Sequence, residues 1–190
     1  MFSFAKIATF AALAFGTIAM AIPSPAPVAA PEAGELVTRA SQDISTILTN
    51  LNNDLKEPLG ELNGMTATTA TPDNVNTSVQ KVKTLVTTAT TAIQSAKGNG
   101  NGNPLMLMST TVSNVMTAVN KAHSVSTEQS NVLVVIKILD PVLAALVALV
   151  LKLVGNLLTI VLGLVVGLLG AVTQLIIGLD FVLLAGVLLI

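Results

Sequence analysis

Residues 71–96 read TPDNVNTSVQKVKTLVTTATTAIQSA, and this stretch decides the fold class. Val75, Val79, Val82, Val86, Ala89, Ile93 and Ala96 recur at alternating spacings of four and three, which places all seven on one helix face. The other face is dominated by Thr, Ser, Asn, Gln and Lys. Thr71-Pro72 supplies a capping side chain followed by a proline suited to the first helical position. A helix with one apolar stripe must bury it against a partner.

Partners of the same kind lie on both sides. Upstream, Val37, Ala40, Ile44, Ile47, Leu51 and Leu55 form a matching stripe, extended toward Leu59 and Leu62 past a kink expected at Pro58. Downstream, Leu105, Met108, Val112, Val115, Val119 and Ala122 form a third stripe, opened by Asn103-Pro104. Met106 and Met108 read as core filler. Gly98-Asn-Gly-Asn-Gly reads as a helix stop and flexible joint. Three such segments predict an all-α bundle of three amphipathic helices. Their polar faces are Thr, Ser and Asn, weak helix formers, so packing rather than propensity must hold them.

The C-terminal third has a different composition. Residues 132–190 hold 38 Leu, Ile and Val in 59 positions and four charges, Lys137, Asp140, Lys152 and Asp180. Residues 22–131 hold 14 charges and 39 Ser, Thr and Asn. The chain is a block amphiphile. Asp140-Pro141 repeats the helix-start signal, with Asp140 as the cap of a fourth helix, while residues 131–139, NVLVVIKIL, suit either a strand or a helix. Apolar helices rich in Leu, Val, Ile and Gly are therefore expected to follow the three amphipathic ones, although such runs also suit stacked sheet in an assembled form. Asp180 has no local explanation and must be paired, neutralised or at a water boundary.

Within the tail, Lys152, Asn156, Thr159, Gly163, Gly167, Gly170, Gln174 and Gly178 are spaced by threes and fours. They form a stripe of small or polar residues that continues backward through Ala148, Ala145 and Pro141. Such a stripe allows close helix packing, as Gly163-x-x-x-Gly167 does in membrane dimers. It has three conceivable partners: the tail itself, another copy, or the first three helices. Leu153 to Leu179 is also an uncharged run of 27 residues, long enough to span a bilayer. Its flanks lack the basic cluster and the aromatic belt that usually fix a span.

The N-terminus reads as a secretory signal. Lys6 precedes an apolar core from Ile7 to Ala19, and Ala19-Met20-Ala21 fits the cleavage rule, with the cut between Ala21 and Ile22. The domain reading is a signal peptide over 1–21, a Pro-rich leader over 22–32, a Thr/Ser/Asn-rich helical region over 33–131 and a hydrophobic tail over 132–190. Export suits the hydroxyl-rich surface, with Thr66 to Pro72 a cluster for O-linked sugar. Asn76-Thr77-Ser78 is the sole N-glycosylation sequon; its use and a plain first-turn asparagine both stay open.

Composition excludes several function classes. The chain has no cysteine, tryptophan or tyrosine, one histidine, a net charge of −1 and 10% charged residues against roughly 25% in ordinary globular chains. Nucleic acid is not an expected partner without a basic patch. Neither a metal nor a cofactor is expected, and no catalytic residue is assigned. His123 lacks a second ligand or carboxylate partner, and Asp54, Glu57 and Glu61 read as a solvated helix end.

Taken together, the apparent signal peptide, the hydroxyl-rich first half and the cysteine-free Leu/Val/Ile/Gly second half resemble the secreted cell-wall proteins of mushroom-forming fungi. Residues 33–130 are more loosely similar to fungal hydrophobic-surface-binding proteins. Hydrophobins are excluded, since their fold depends on cysteines. The first resemblance implies a secreted, extracellular or cell-wall structural amphiphile that supports aerial hyphae and attachment. Its partners would be other copies through the apolar tail, hydrophobic surfaces or the air–water interface, and cell-wall polysaccharide. Two other readings stay open: an extracellular domain anchored in a membrane by residues 153–179, and a carrier enclosing an apolar lipid.

Overall fold

The computed structural model describes residues 42–99, 102–154, 170 and 172–188. Among them every regular element is helical and none is a strand. In chain order these are α1 (Ile44–Asp54), α2 (Lys56–Asn63), α3 (Pro72–Gln94), α4 (Pro104–Val125), α5 (Gln129–Ile136), a 3-10 turn (Lys137–Leu139), α6 (Asp140–Val154), α7 (172–178) and α8 (Val182–Leu188).

Two expected caps form: Thr71 accepts from the Asn74 amide at 3.4 Å and Asn103 from Met106 at 3.2 Å. Asp43, not among the expected caps, does the same for α1 by accepting from the Thr46 amide at 2.8 Å. Each satisfies a donor that the first helical turn leaves without an intrahelical partner. Prolines set two interruptions, each one turn earlier in the chain than the ring itself. Pro58 has no N–H for the Asp54 carbonyl, and the first amphipathic segment breaks at Leu55 into α1 and α2. Pro141 likewise cannot reach the Lys137 carbonyl, which accepts from the Asp140 amide instead and tightens the chain into the 3-10 turn.

That turn corrects the expected start of the fourth helix. Residues 131–139, open between strand and helix in the sequence, are α5 and its 3-10 continuation, so the rod begins at Gln129 and Asp140 lies inside it. The α1–α2 rod packs on both α3 and α4, and the α5–α6 rod packs on the same two helices from the other side. Consecutive helices α3 and α4 thus face each other across the bundle. The α8 helix lies against α6.

Burial follows the helical stripes. Ile44, Ile47, Leu51, Leu55, Leu59 and Leu62 join Val75, Val79, Val82, Val86, Ala89 and Ile93, and Met108, Val112, Val115, Val119 and Ala122, in a single core. Ala96 and Leu105 are only half-buried at its ends. Leu48, Met116 and Ala118 widen the stripes. The same core takes in Val132, Ile136, Leu139, Leu143, Leu146, Val147 and Val150 from the apolar block. Met106 is not core filler: it is 54% exposed at the open end of α4, while Met108 is fully buried.

Polar ties lock the layers. The Asn52 amide donates to the Leu107 carbonyl at 3.2 Å, and the buried Thr111 hydroxyl donates to Asn52 Oδ1 at 3.0 Å. Ser126 donates to the Ala70 carbonyl at 2.7 Å. Among the described residues no buried side-chain N or O atom lacks a partner. The Gly98–Gly102 segment, expected as a flexible joint, is tied down at its described residues. The carbonyls of Gly98 and Asn99 accept from the Ile44 and Ser45 amides at 3.1 and 3.3 Å, and Asn99 also accepts from the Ser45 hydroxyl at 2.6 Å. These bonds satisfy the N-terminus of α1 from a distant loop.

Candidate functional surface: an apolar C-terminal hairpin held by three charges

On α6 the large residues Leu143, Leu146, Val147 and Val150 turn inward, and Pro141, Ala145, Ala148 and Lys152 turn outward. Burial stabilises in proportion to apolar area, about 25 cal/mol per Å², so the larger side chains take the core face. The stripe of small residues accordingly points away from the first three helices. Its described members, Lys152, Gly170, Gln174 and Gly178, are all exposed, and Asn156, Thr159, Gly163 and Gly167 lie outside the described residues.

Helices α7 and α8 form a hairpin. Its turn places Asp180 at φ 55°, the left-handed conformation usually given to glycine and tolerated by Asp. The Phe181 amide returns to the Ile176 carbonyl and the Asp180 amide to Ile177, both at 3.0 Å, the bonding pattern of a Schellman helix end. Ile176 and Phe181, the two residues that this motif brings together, are both buried.

Two contacts fasten the hairpin to the α5–α6 rod. Asp140, only 8% exposed, does not cap its own helix. Its carboxylate accepts from the Leu183 amide at 2.9 Å and from Leu184 at 2.8 Å, the second and third residues of α8. An N-cap side chain would normally serve those donors, and Phe181, at the cap position, has no acceptor. One turn away, Lys137 Nζ lies 2.6 Å from Asp180 Oδ2. Asp180, unexplained in the sequence, thus has a partner. Three of the four charges in the apolar block hold the hairpin in place, and the exposed Lys152 is the fourth.

Large apolar residues lie on both faces of the hairpin, and Gln174 and Asp180 are its exposed polar side chains among the described residues. Inward lie Val172, Ile176, Leu179, Phe181, Leu184 and Leu188. Outward, Ile177 is 57% exposed, Val182 63% and Leu183 54%, with Gly178 and Gly186 beside them. Ile176, Ile177, Phe181, Val182, Ala185 and Gly186 border a notch of about 330 Å³, with Asp180 at its edge. Val134, 70% exposed, is another large apolar residue open to solvent, on α5. The 26-residue rod Gln129–Val154 is long and apolar enough to cross a membrane by length and composition; an 18-residue window within it has mean hydropathy 2.5, and 44% of that window is buried in the bundle. The span read in the sequence, 153–179, falls largely outside the described residues; its last part, 172–179, contributes three buried core residues.

The remaining sites named from sequence are scattered. Ala21 and Ile22 lie outside the described residues. Asn76 is half-buried in the second turn of α3 and accepts from Gln80 at 3.2 Å. His123 is half-buried near the end of α4, and no acidic or histidine cluster among the described residues could hold a metal ion. Glu61 joins α2 to α3: it accepts from the Ser78 hydroxyl at 2.7 Å and pairs with Lys81. The hydrogen bond from Lys81, and then that from Ser78, hold the Glu61 carboxyl below its usual value, while the same bond raises Lys81. Asp54 and Glu57 line an open groove of about 900 Å³ between the α1–α2 bend and α3.

The sequence matches no family model, no curated protein and no solved structure.

Proposed function

We propose that the protein is a secreted structural amphiphile of the fungal cell wall or extracellular matrix, which coats hyphae and attaches them to hydrophobic surfaces. The observation that carries this reading is the outward face of the α7–α8 hairpin. A helical pair packed on a soluble bundle ordinarily turns polar residues to water; this one turns Ile177, Val182 and Leu183. Each further 100 Å² of apolar surface taken from water at an interface stabilises adsorption by about 2.5 kcal/mol. On α3 the outward residues are chiefly Thr, Asn, Gln and Lys, so that side of the bundle stays wet. The cell-wall setting rests on the resemblance of the block layout, and no side chain need do chemistry.

A membrane-anchored protein is the second reading, supported by the length and hydropathy of Gln129–Val154. It requires Lys137 and Asp140 to enter the bilayer or lose their partners on the hairpin, which is costly for charged groups. Fractionation of producing cells separates the two. A coat protein appears in medium or wall, free of lipid, and adsorbs from water onto Teflon. Recovery only from carbonate-washed membranes with detergent would replace the coat by the anchor.

A further inference from the structure

We infer that the groove between the α1–α2 bend and α3 is a docking site for a neutral polysaccharide chain, the partner of the polar side of the molecule. This rests on the coat reading for its setting and on the groove for its chemistry. The groove lies where the α1–α2 junction at Leu55 runs beside α3, and its lining comes from both sides of that junction and from α3. At about 900 Å³ it lies at the upper end of small-ligand pockets, and most of its lining residues are exposed along an open side, which suits a chain passing through rather than an enclosed small molecule.

Its walls match a ligand whose every group both donates and accepts. Asn53 accepts from Lys56 at 2.9 Å and retains two N–H donors; Gln80 donates to Asn76 and retains its carbonyl acceptor. Thr77 and Thr84, one turn before and one turn after Gln80, donate their hydroxyl protons to the Asp73 and Gln80 carbonyls of their own helix and retain acceptor lone pairs toward the groove. Asp54 and Glu57 are offset by Lys56 and Lys81, so the walls sum to zero charge and favour neither a polyanion nor a polycation. Pro58 and Leu85 give an apolar floor for the C–H faces of a sugar ring.

The position completes the argument. The groove's walls belong to α1, α2 and α3, whereas the α7–α8 hairpin is fastened to the α5–α6 rod on the other side of the α3–α4 pair. One side can hold a wall polymer while the other meets a hydrophobic surface.

The test is sedimentation of the full chain with particles of an insoluble neutral β-glucan, beside a sulfated polysaccharide and Teflon. Binding to the neutral glucan should persist in 1 M salt, because screening acts on charge pairs. Asn53→Ala with Gln80→Ala should lower glucan affinity about tenfold, the loss expected from two hydrogen bonds. Thr84→Arg should block the groove, with helical circular dichroism and Teflon adsorption retained in all variants. Glucan binding indifferent to these substitutions, binding to the sulfated polymer alone, or no binding would overturn the groove assignment. Glucan binding lost in the variants but no Teflon adsorption by any form would keep the groove and refute the coat reading.

Discussion

The Leu184 amide nitrogen lies 2.8 Å from Asp140 Oδ1, across 44 residues of sequence, so the start of the last helix is capped by a carboxylate in the middle of another rod. Replacing Asp140 with Ala leaves the buried Leu184 donor and the partly buried Leu183 donor without their acceptor, a cost of about 1–3 kcal/mol. A chain of this size should then melt roughly 3–10 °C lower. Asp140→Asn, which keeps one acceptor oxygen, should recover part of the loss. Hydrogen exchange should locate the change at the amides of 183 and 184; protection there unaltered in Asp140→Ala would refute the tertiary cap.

Gly102 tests the tie between the loop and α1. A Cβ built on it would stand 2.8 Å from Ser45 Cβ and 3.0 Å from its hydroxyl, closer than carbon atoms pack. Ser45 is buried and held by Asn99, so it has little room to yield. Gly102→Ala should therefore destabilise by about 1–2 kcal/mol through overpacking. Gly60→Ala meets nothing within 4 Å in α2 and should be neutral or stabilising, since Gly costs helix stability. Chemical denaturation of both variants makes the comparison.

These two sites mark where sequence legibility ended. The α3 stripe from Val75 to Ile93 was readable because Thr, Asn and Lys alternate with Val at helical period, and burial followed that contrast. In the apolar block the contrast is absent: Leu143 and Leu183 look alike in sequence, yet one is buried and the other open. Periodicity there picked out the small residues, but volume decided the core face, and Ala145 and Ala148 went outward. Asp140 beside Pro141 carried a local cap signal, while its partners lie 43 and 44 positions away. No local rule reaches that far. The groove was legible only as the kink at Pro58, since its two walls come from separate helices.

Thr111 and Thr110 are adjacent and chemically equal, which makes them a matched pair. The buried Thr111 hydroxyl shares its proton between the Leu107 carbonyl of its own helix at 2.9 Å and Asn52 Oδ1 on α1 at 3.0 Å, whereas the exposed Thr110 hydroxyl bonds only the Met106 carbonyl of its own helix. Thr111→Val keeps the shape and orphans the Asn52 acceptor, costing about 1–2 kcal/mol. Thr110→Val should change stability by less than about 0.5 kcal/mol. Equal effects in urea denaturation would mean that the α1–α4 clasp contributes nothing.

Glu61 sets the sign of an acid-range pH dependence. Its carboxyl is lowered from 4.5 by the Lys81 and Ser78 hydrogen bonds, so the unfolded chain binds its proton more readily than the folded one. The stabilisation is complete above the unfolded value and fades as pH falls through the lower folded value. Because the pair is substantially exposed, the effect is small. Glu61→Gln should flatten this part of the melting profile below about pH 4.5 and leave its shape near pH 7 unchanged. Melting curves from pH 2.5 to 7 would show an unaltered acid slope if the contact does not form.

The two faces of the hairpin should separate adhesion from stability. Ile177, Val182 and Leu183 face outward, so changing all three to Ser removes little packing and should shift stability by less than about 1.5 kcal/mol. Their loss should weaken adsorption onto Teflon by about tenfold or more, since each apolar side chain buried at an interface contributes about 1.5–3 kcal/mol. Phe181→Ala acts on the inner face, where a fully buried ring leaves a cavity costing about 3–5 kcal/mol. Its fold should loosen at the hairpin, as limited proteolysis would report. Adsorption undiminished in the triple serine variant would place the adhesive surface elsewhere on the molecule.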